Sequence, residues 1–331
     1  MAIINDIKNR AKQEKKTIVL PEYEDKRILE AAVIAEKEGI ANIVIVGNYE
    51  KAKYIATTNG IDLSSVKFID IESSGKLEEY AEKLYELRKN KGMTIEEANK
   101  LILDSVYFGM MMVKCGEADG LVSGAAHSTA DTLRPALQII RTKEGEKLVS
   151  AFFLMEVPDC EYGEKGVFIF ADCGLNENPT SEELAEIAYS SAMSFEKLVQ
   201  KEPVIGMLSY STYGSKESEM TLKMKNAAKI VNEKYPQLQA DGEIQVDVAI
   251  DSKVAQSKAK ECKVGGKCNI LIFPDLNSGN IGYKLVRNFA KAEAYGPICQ
   301  GMAKPVNDLS RSCNIDDIIG VIAITAVQAQ E

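Results

Sequence analysis

The sequence predicts an α/β protein with mostly parallel sheet, organised as two domains. Three observations carry that prediction. The chain has 331 residues, about two domains at roughly 150 residues each. Short apolar runs alternate with amphipathic stretches of helical period, the pattern of strand–helix–strand crossovers. The runs are apolar throughout rather than alternating, as strands covered on both faces should be.

Taken in order, the first strand candidates are Thr17–Leu20, Asn42–Gly47, Val66–Asp70 and Gly120–Gly124, with helical patterns over Asp25–Glu38 and Lys76–Lys89. Gly92–Lys114 breaks the rhythm and reads as two successive helices, with a capping box at Thr94 and Glu97. A helix over Pro135–Thr142 follows, and a domain boundary is placed near Glu144–Lys147. Beyond it, Val149–Val157 and Gly166–Asp172 read as an antiparallel pair joined by a turn over Pro158–Gly163. The remaining strand candidates are Pro203–Ser209, Ile244–Ile250 and Asn269–Phe273, with helices over Glu182–Gln200, Glu217–Glu233 and Asn280–Ala294. There is no repeat or low-complexity linker, so the two domains are expected to share a close interface. In open α/β sheets ligands bind beyond the carboxyl ends of the strands, so the loops after strands are the ones to search.

Composition narrows the function. With 45% hydrophobic and 27% charged residues the chain is expected to fold. Its 49 acidic and 40 basic residues give a net charge of −9, which argues against a general binder of nucleic acid or anionic membrane. An anionic substrate would have to be held by a few placed arginines. Seven cysteines, at 115, 160, 173, 262, 268, 299 and 313, form no CxxC pair, and one histidine cannot complete a Cys/His zinc site. They are expected to be reduced, buried thiols, and no metal is expected. The N-terminal stretch is charged from Asp6 onward and lacks the apolar core of a signal peptide. The longest apolar stretch, Ile318–Val327, is far short of the ~20 residues of a membrane span. A cytoplasmic protein is expected.

Common nucleotide and hydrolase signatures are missing: no Walker loop, no dinucleotide fingerprint and no serine elbow. Four post-strand loops stand out instead. The first, GLVSGAAHSTADTLRP from Gly120 to Pro135, presents Ser128, Thr129, His127 and Arg134. Pro135 suits a first helical position, and backbone N–H groups at such a helix start favour an anion. A plain capped turn, with Ser128 and Asp131 satisfying backbone donors, fits the same spacing, and both readings stay open. The second loop, LSYSTYGS from Leu208 to Ser215, offers the hydroxyls of Ser209, Ser211, Thr212 and Ser215 as neutral donors to a phosphate. The third, FPDLNSGNIGYK from Phe273 to Lys284, has Ser278 as a possible cap and Asn277, Asn280 and Lys284 as polar groups on one approach. The fourth runs from Gly296 to Asp317. There Asn314 as cap puts Asp317 at the third helical position, where an acid stabilises a helix, and on bare physics this structural reading of Asp317 is the stronger one.

Together these loops carry a family resemblance. The stretches ADGLVSGAAHSTADTLRPALQII, FPDLNSGNIGYK and GPICQGMAKPVNDLSR resemble phosphate acetyltransferases, as do LYELRKNKGMT, FADCGLNENP and MLSYSTYGS. The similarity is collinear from about Lys16 to the C-terminus, and the length matches the short, single-module form. The resemblance implies a fold similar to the isocitrate/isopropylmalate dehydrogenases, with two α/β domains around a cleft that holds the active site. On this sequence it assigns residues 1–147 and 297–331 to one domain and 148–296 to the other. It implies a homodimer, coupling to an acetate kinase, and the reaction acetyl phosphate + coenzyme A ⇌ acetyl-CoA + phosphate through a ternary complex. Coenzyme A is then a substrate, and no cofactor is expected.

Residue by residue, Asp317 resembles the carboxylate that takes the thiol proton, Ser310 the hydroxyl that orients the reactants, and Arg311 the cation on the acyl phosphate. Arg134 and Arg88 resemble the arginines that bind substrate phosphates. For Arg88, complementing a helix C-terminus before Gly92 competes as a reading. The hydroxyls of Ser209–Ser215 and the Asn277–Asn280 turn would line the cleft. Two positions depart from the family pattern: Tyr213 stands where lysine is more usual, and Ser312 where glycine follows Ser-Arg. The rival enzymes are a phosphate butyryltransferase and a decarboxylating dehydrogenase of similar fold, whose metal-binding aspartates are not found. A coenzyme A-binding module without activity would dispense with Asp317. His127 as base, or an acyl-cysteine at Cys160, Cys173 or Cys313, would be a different mechanism.

Overall fold

The computed structural model describes residues 3–330, so the outer ends of the expected first domain, Met1, Ala2 and Glu331, lie outside the described residues. The chain divides into two compact units. The first holds Ile4–Glu144 and the chain from Met302 onward; the second is Gly145–Gly301, with which Ile3 also groups.

The first unit starts with α1 (Ile3–Gln13), β1 (Thr17–Leu20), α2 (Lys26–Lys37), β2 (Asn42–Gly47), α3 (Tyr49–Thr58) and β3 (Lys67–Asp70). It continues with α4 (Leu77–Arg88), α5 (Ile95–Leu101), α6 (Ser105–Lys114), β4 (Gly120–Ser123) and α7 (Thr129–Ile139). The second unit contains β5 (Ser150–Glu156), β6 (Val167–Ala171), α8 (Ser181–Val199), β7 (Val204–Leu208), α9 (Glu219–Lys234) and β8 (Gln239–Ile244). After α10 (Val246–Ile250), α11 (Ser252–Lys258), β9 (Ile270–Ile272), α12 (Leu276–Phe289) and β10 (Glu293–Gln300), the chain returns to the first unit as β11 (Val306–Asp308) and α13 (Ile315–Ala329).

The first sheet has the order β11-β4-β1-β2-β3 and all its pairings are parallel. Its inner strands β4, β1 and β2 are mostly apolar, as strands covered on both faces are; Ile18, Val19, Leu20, Leu121 and Val122 are fully buried. The second sheet has the order β10-β5-β6-β9-β7-β8, with β5 antiparallel to both β10 and β6 and the remaining pairings parallel. The expected antiparallel pair and the Thr94–Glu97 capping box are both present.

Four local expectations need correction. Ile244–Ile250 is not a strand: the strand is the preceding Gln239–Ile244, and the apolar run after it is the short helix α10. A short apolar run has no periodicity that separates strand from buried helix. Gly296-Pro297 hid β10, which tolerates proline because it lies at a sheet edge and its pairing slips between Tyr295 and Ile298. Pro135 is not a first helical residue, since α7 begins at Thr129 under a Ser128–Asp131 capping box and both Arg134 and Pro135 lie inside it. At α12 the cap is Asp275, whose Oδ1 accepts the Ser278 N–H at 2.8 Å, while the Ser278 hydroxyl donates back to the Asp275 carbonyl.

Among the described residues, no helix is long and apolar enough to cross a membrane. The apolar stretch Ile318–Val327 is the buried body of α13.

Candidate active site

In the first unit, the loops after β1, β4 and β11 meet at the carboxyl ends of parallel strands, where a ligand is expected. Three internal groups organise them. Glu22, 3% exposed, accepts the backbone N–H groups of Ala125 (2.9 Å), Ala126 (2.8 Å) and His127 (2.8 Å), and its Oε1 lies 2.9 Å from His127 Nδ1. Burial alone would raise the Glu22 carboxyl, but His127 and the three N–H groups outweigh it and hold it below the usual carboxylate range. The same bond raises His127. The cap expected in this loop is present, as a Ser128–Asp131 capping box. The loop's donors are already taken by the protein's own carboxylate, and Ser128 Oγ is engaged with Asp131.

Arg27 is the second organiser. Held by Asp25 at 2.6 Å, it donates to the carbonyls of Arg311 (3.0 Å), Cys313 (2.8 Å) and Ala125 (2.9 Å). One guanidinium thus ties the segment after β11 to the loop after β4. The third organiser is Asp308, the buried last residue of β11, whose Oδ2 accepts the Thr129 hydroxyl at 2.7 Å.

On this frame the fourth loop carries Ser310, half-buried, with its Oγ 2.9 Å from Ser312 Oγ, and Arg311, exposed. Asp317 is 4% exposed at the third position of α13, in a capping box with Asn314: Oδ2 accepts the Asn314 N–H at 3.0 Å and Asn314 Oδ1 accepts the Asp317 N–H at 2.8 Å. The structural account of Asp317 is therefore realised, and it leaves room for a chemical one.

Arg88 ends α4 and Arg134 sits on α7, and both lie near the Tyr107 hydroxyl, which donates to Gln138 Oε1 at 3.2 Å. Arg88 Nε is buried without a hydrogen-bond partner. Arg88, Arg134 and Arg311 stand in no ion pair among the described residues, unlike Arg27. A guanidinium cannot shed its charge, so one kept near buried structure without a carboxylate is suited to an incoming anion.

The other candidates belong to the second unit. Ser211, Thr212 and Ser215 bond mainly among themselves and to the loop backbone: Ser211 Oγ lies 3.1 Å from Ser215 Oγ, and Thr212 Oγ1 accepts the Gln245 N–H at 3.0 Å. Beneath them Glu243, 2% exposed, accepts the Gly214 N–H at 2.6 Å and the Ser211 hydroxyl at 3.4 Å. Ser209 Oγ accepts the Ser211 N–H. Tyr213 has φ +46° and donates to Asp241 Oδ2 at 2.5 Å. Asn277 and Lys284 are exposed on α12, and Asn280 Nδ2 donates to the Cys173 carbonyl at 3.2 Å. Gly279 lets α12 approach the end of β6, since a Cβ there would lie 2.4 Å from the Asp172 carbonyl oxygen. The Asp172 carboxylate itself gathers the N–H groups of Gly174 and Leu175 at 2.8 and 2.9 Å.

Sequence reasoning missed Glu22, Arg27, Asp308 and Glu243. Each acts on a loop far from it in sequence, and even Asp308, inside the KPVNDLSR stretch, lies 179 residues from its partner Thr129. None of the seven cysteines is in a disulfide, and no group of three or more potential metal ligands occurs among the described residues.

Comparison with known proteins settles the family. The model of the phosphate acetyl/butaryl transferase family matches residues 2–326. The chain belongs to this family. It is 58% identical over 330 residues to the phosphate acetyltransferase of Acetivibrio thermocellus, covering 100% of this chain and 99% of that one. The sequence resemblance to phosphate acetyltransferases is borne out, and the chain is a transferase. Among solved structures, a phosphotransacetylase from Streptococcus pyogenes superposes with a TM-score of 0.92 at 40% identity, covering 99% and 98% of the two chains. A putative 4-hydroxythreonine-4-phosphate dehydrogenase from Salmonella typhimurium, 12% identical with a TM-score of 0.54, covers 96% of this chain and 99% of that one. That likeness shows the fold alone, and it agrees with the dehydrogenase-like architecture expected of the family.

Proposed function

We propose that this transferase moves an acetyl group reversibly between acetyl phosphate and coenzyme A, giving acetyl-CoA and phosphate, through a ternary complex without an acyl-enzyme. The observation that carries this reading is the contrast between loop donors met by the protein's own carboxylates and arginines that no carboxylate meets. Glu22, Asp172 and Glu243 occupy the donor-rich loops, while Arg88, Arg134 and Arg311 are left without carboxylates among the described residues. Both substrates bring phosphate groups that would complete them. The acetyl name of a relative 58% identical over the full chain supports acetyl phosphate over butyryl phosphate.

Asp317 is the proposed base. An ordinary aspartate, pKa about 3.9, faces a thiol of about 8.5, a gap of roughly 4.6 units or ~6 kcal/mol. Proton removal is therefore coupled to attack on the carbonyl rather than completed beforehand. Arg311 neutralises the acyl phosphate and the developing oxyanion, and Ser310 orients the thiol. Acetyl phosphate carries a good leaving group, so positioning and charge stabilisation supply the rest. Coenzyme A is substrate here, and no cofactor takes part. A cytoplasmic homodimer coupled to an acetate kinase is the setting we assign to the reaction.

The test is thioester formation from coenzyme A with acetyl phosphate and with butyryl phosphate. Rapid turnover with the former, lost in Asp317→Asn while coenzyme A binding persists, is the expected result. Preference for butyryl phosphate would move the substrate assignment, and full turnover by Asp317→Asn would remove the base.

A further inference from the structure

We propose that Asp308 is a positioning residue for the transfer: its carboxylate locks the start of α7 to the segment that carries Ser310 and Arg311. The proposal rests on the functional reading above and assigns a role to a residue that reading does not use.

Asp308 is 1% exposed, with Thr129 Oγ1 on Oδ2 at 2.7 Å. It pairs in register with Ser123 at the end of β4, and the Ser123 hydroxyl lies 3.2 Å from that of Thr132 on α7. The chain makes room for this carboxylate. Gly124, at φ +112°, would put a Cβ 2.1 Å from Asp308 Oδ1 and 2.5 Å from the Leu309 nitrogen. Neither the backbone angle nor the space admits a side chain there.

Stability does not account for such a residue. Asp308 stands in no ion pair among the described residues, and burial pushes its carboxyl up to about 6. The Thr129 and Thr132 hydroxyls and the Leu309 N–H oppose that rise, while the charge of Glu22, itself bonded to His127, adds to it. A buried carboxylate with no cation costs more than an apolar side chain of similar size. What it supplies is registry. Asp308 precedes buried Leu309 and then Ser310 and Arg311, and its bond reaches the helix that bears Arg134. The Thr129 hydroxyl proton is spent on Asp308, so Thr129 acts through this bond and does not donate to a substrate phosphate.

The test compares Asp308→Asn, Thr129→Val and the double variant, in the full chain, for kcat, for KM toward each substrate, for thermal midpoint and for the pH dependence of kcat. A misplacement of about 1 Å costs on the order of 100-fold. The expected result is a fall in kcat of about 10- to 100-fold in each single variant, with KM for coenzyme A nearly unchanged and the thermal midpoint of Asp308→Asn not lowered. The double variant should lose no more than the worse single one, because both remove one bond. The acid limb of kcat near pH 6 should be altered in Asp308→Asn. Unchanged kcat in both single variants, or losses that follow the thermal midpoint, would overturn the proposal while leaving the functional reading intact. Absence of turnover in the unaltered chain would instead sink the functional reading, and this proposal with it.

Discussion

Glu22 and His127 form one ionic unit: Oε1 of the first lies 2.9 Å from Nδ1 of the second and also accepts the His127 backbone N–H at 2.8 Å. The only histidine of the chain is therefore tied to its loop through Nδ1. Glu22 holds both the backbone and Nδ1 of His127, and its charge raises the imidazole.

The pH dependence of stability follows from this pair. His127 is raised, so its contribution is complete below the ordinary histidine pKa and is lost as pH climbs through the raised value. Glu22 is lowered, so its contribution is complete above the ordinary carboxylate range and is lost as pH falls through the lowered value. The pair thus stabilises most from mildly acidic to neutral pH. Replacing Glu22 by Gln should cost about 3 kcal/mol at pH 6, since three N–H groups and the ring lose a charged acceptor. For His127→Gln the loss should be smaller and should shrink toward pH 9. Urea denaturation at pH 5, 7 and 9 measures both, and a loss independent of pH would contradict the assignment.

Arg27 makes a second prediction. Its guanidinium spans the carbonyls of Ala125, Arg311 and Cys313 while anchored on Asp25. A lysine ammonium is a single point and cannot hold that planar set of contacts. Arg27→Lys should therefore lower kcat by about 10-fold or more through loosening of the Ser310–Cys313 segment. The side chain is 27% exposed, so the stability cost should stay near 1 kcal/mol. Steady-state kinetics beside a melting curve separates the two, and a loss of stability with unchanged kcat would make Arg27 purely structural.

What the sequence made legible was local. The Asn314–Asp317 and Thr94–Glu97 boxes span three residues, so the chain spells them out, and the structure contains both. The strand runs Thr17–Leu20 and Asn42–Gly47 were readable to the residue because strands covered on both faces stay apolar from end to end. Glu22, Asp308 and Glu243 were not legible. Each is a lone acid whose partners are distant in sequence, Ala125 for Glu22 and Thr129 for Asp308. Those meetings depend on the order β11-β4-β1, which no local pattern encodes. The same gap bears on the loops after β4 and β7, where donors are plain in the sequence and the buried carboxylates that meet them are distant. Composition shows the donors but not the buried carboxylate that takes them.

The thiols give a third prediction. Burial pushes Cys173 well above the ordinary thiol value and Cys313 up to about 11, the latter despite Arg27 nearby. At neutral pH such thiols are protonated and poorly nucleophilic. Cys173→Ala and Cys313→Ala should each retain most of the thioester-forming activity, and alkylation of the native protein at either site should be slow at pH 7. A covalent acetyl group trapped on Cys313 in the absence of coenzyme A would overturn the ternary-complex mechanism.

The fourth prediction separates the two roles that meet in Asp317. As a capping residue it accepts the Asn314 N–H, a task an amide oxygen can perform nearly as well. As a base it must take up a proton, which an amide cannot do. Asp317→Asn should therefore change stability by less than about 1 kcal/mol and turnover by about 100-fold or more. Asn314→Ala makes the opposite cut: it removes the acceptor of the Asp317 N–H and keeps the carboxylate. About 1 kcal/mol of stability should go, with kcat lowered by less than about 10-fold. Thermal midpoints and kcat for the two variants, measured side by side, decide the matter. If both variants lose activity in proportion to stability, Asp317 is a helix cap and the proton acceptor must be sought elsewhere in the loop.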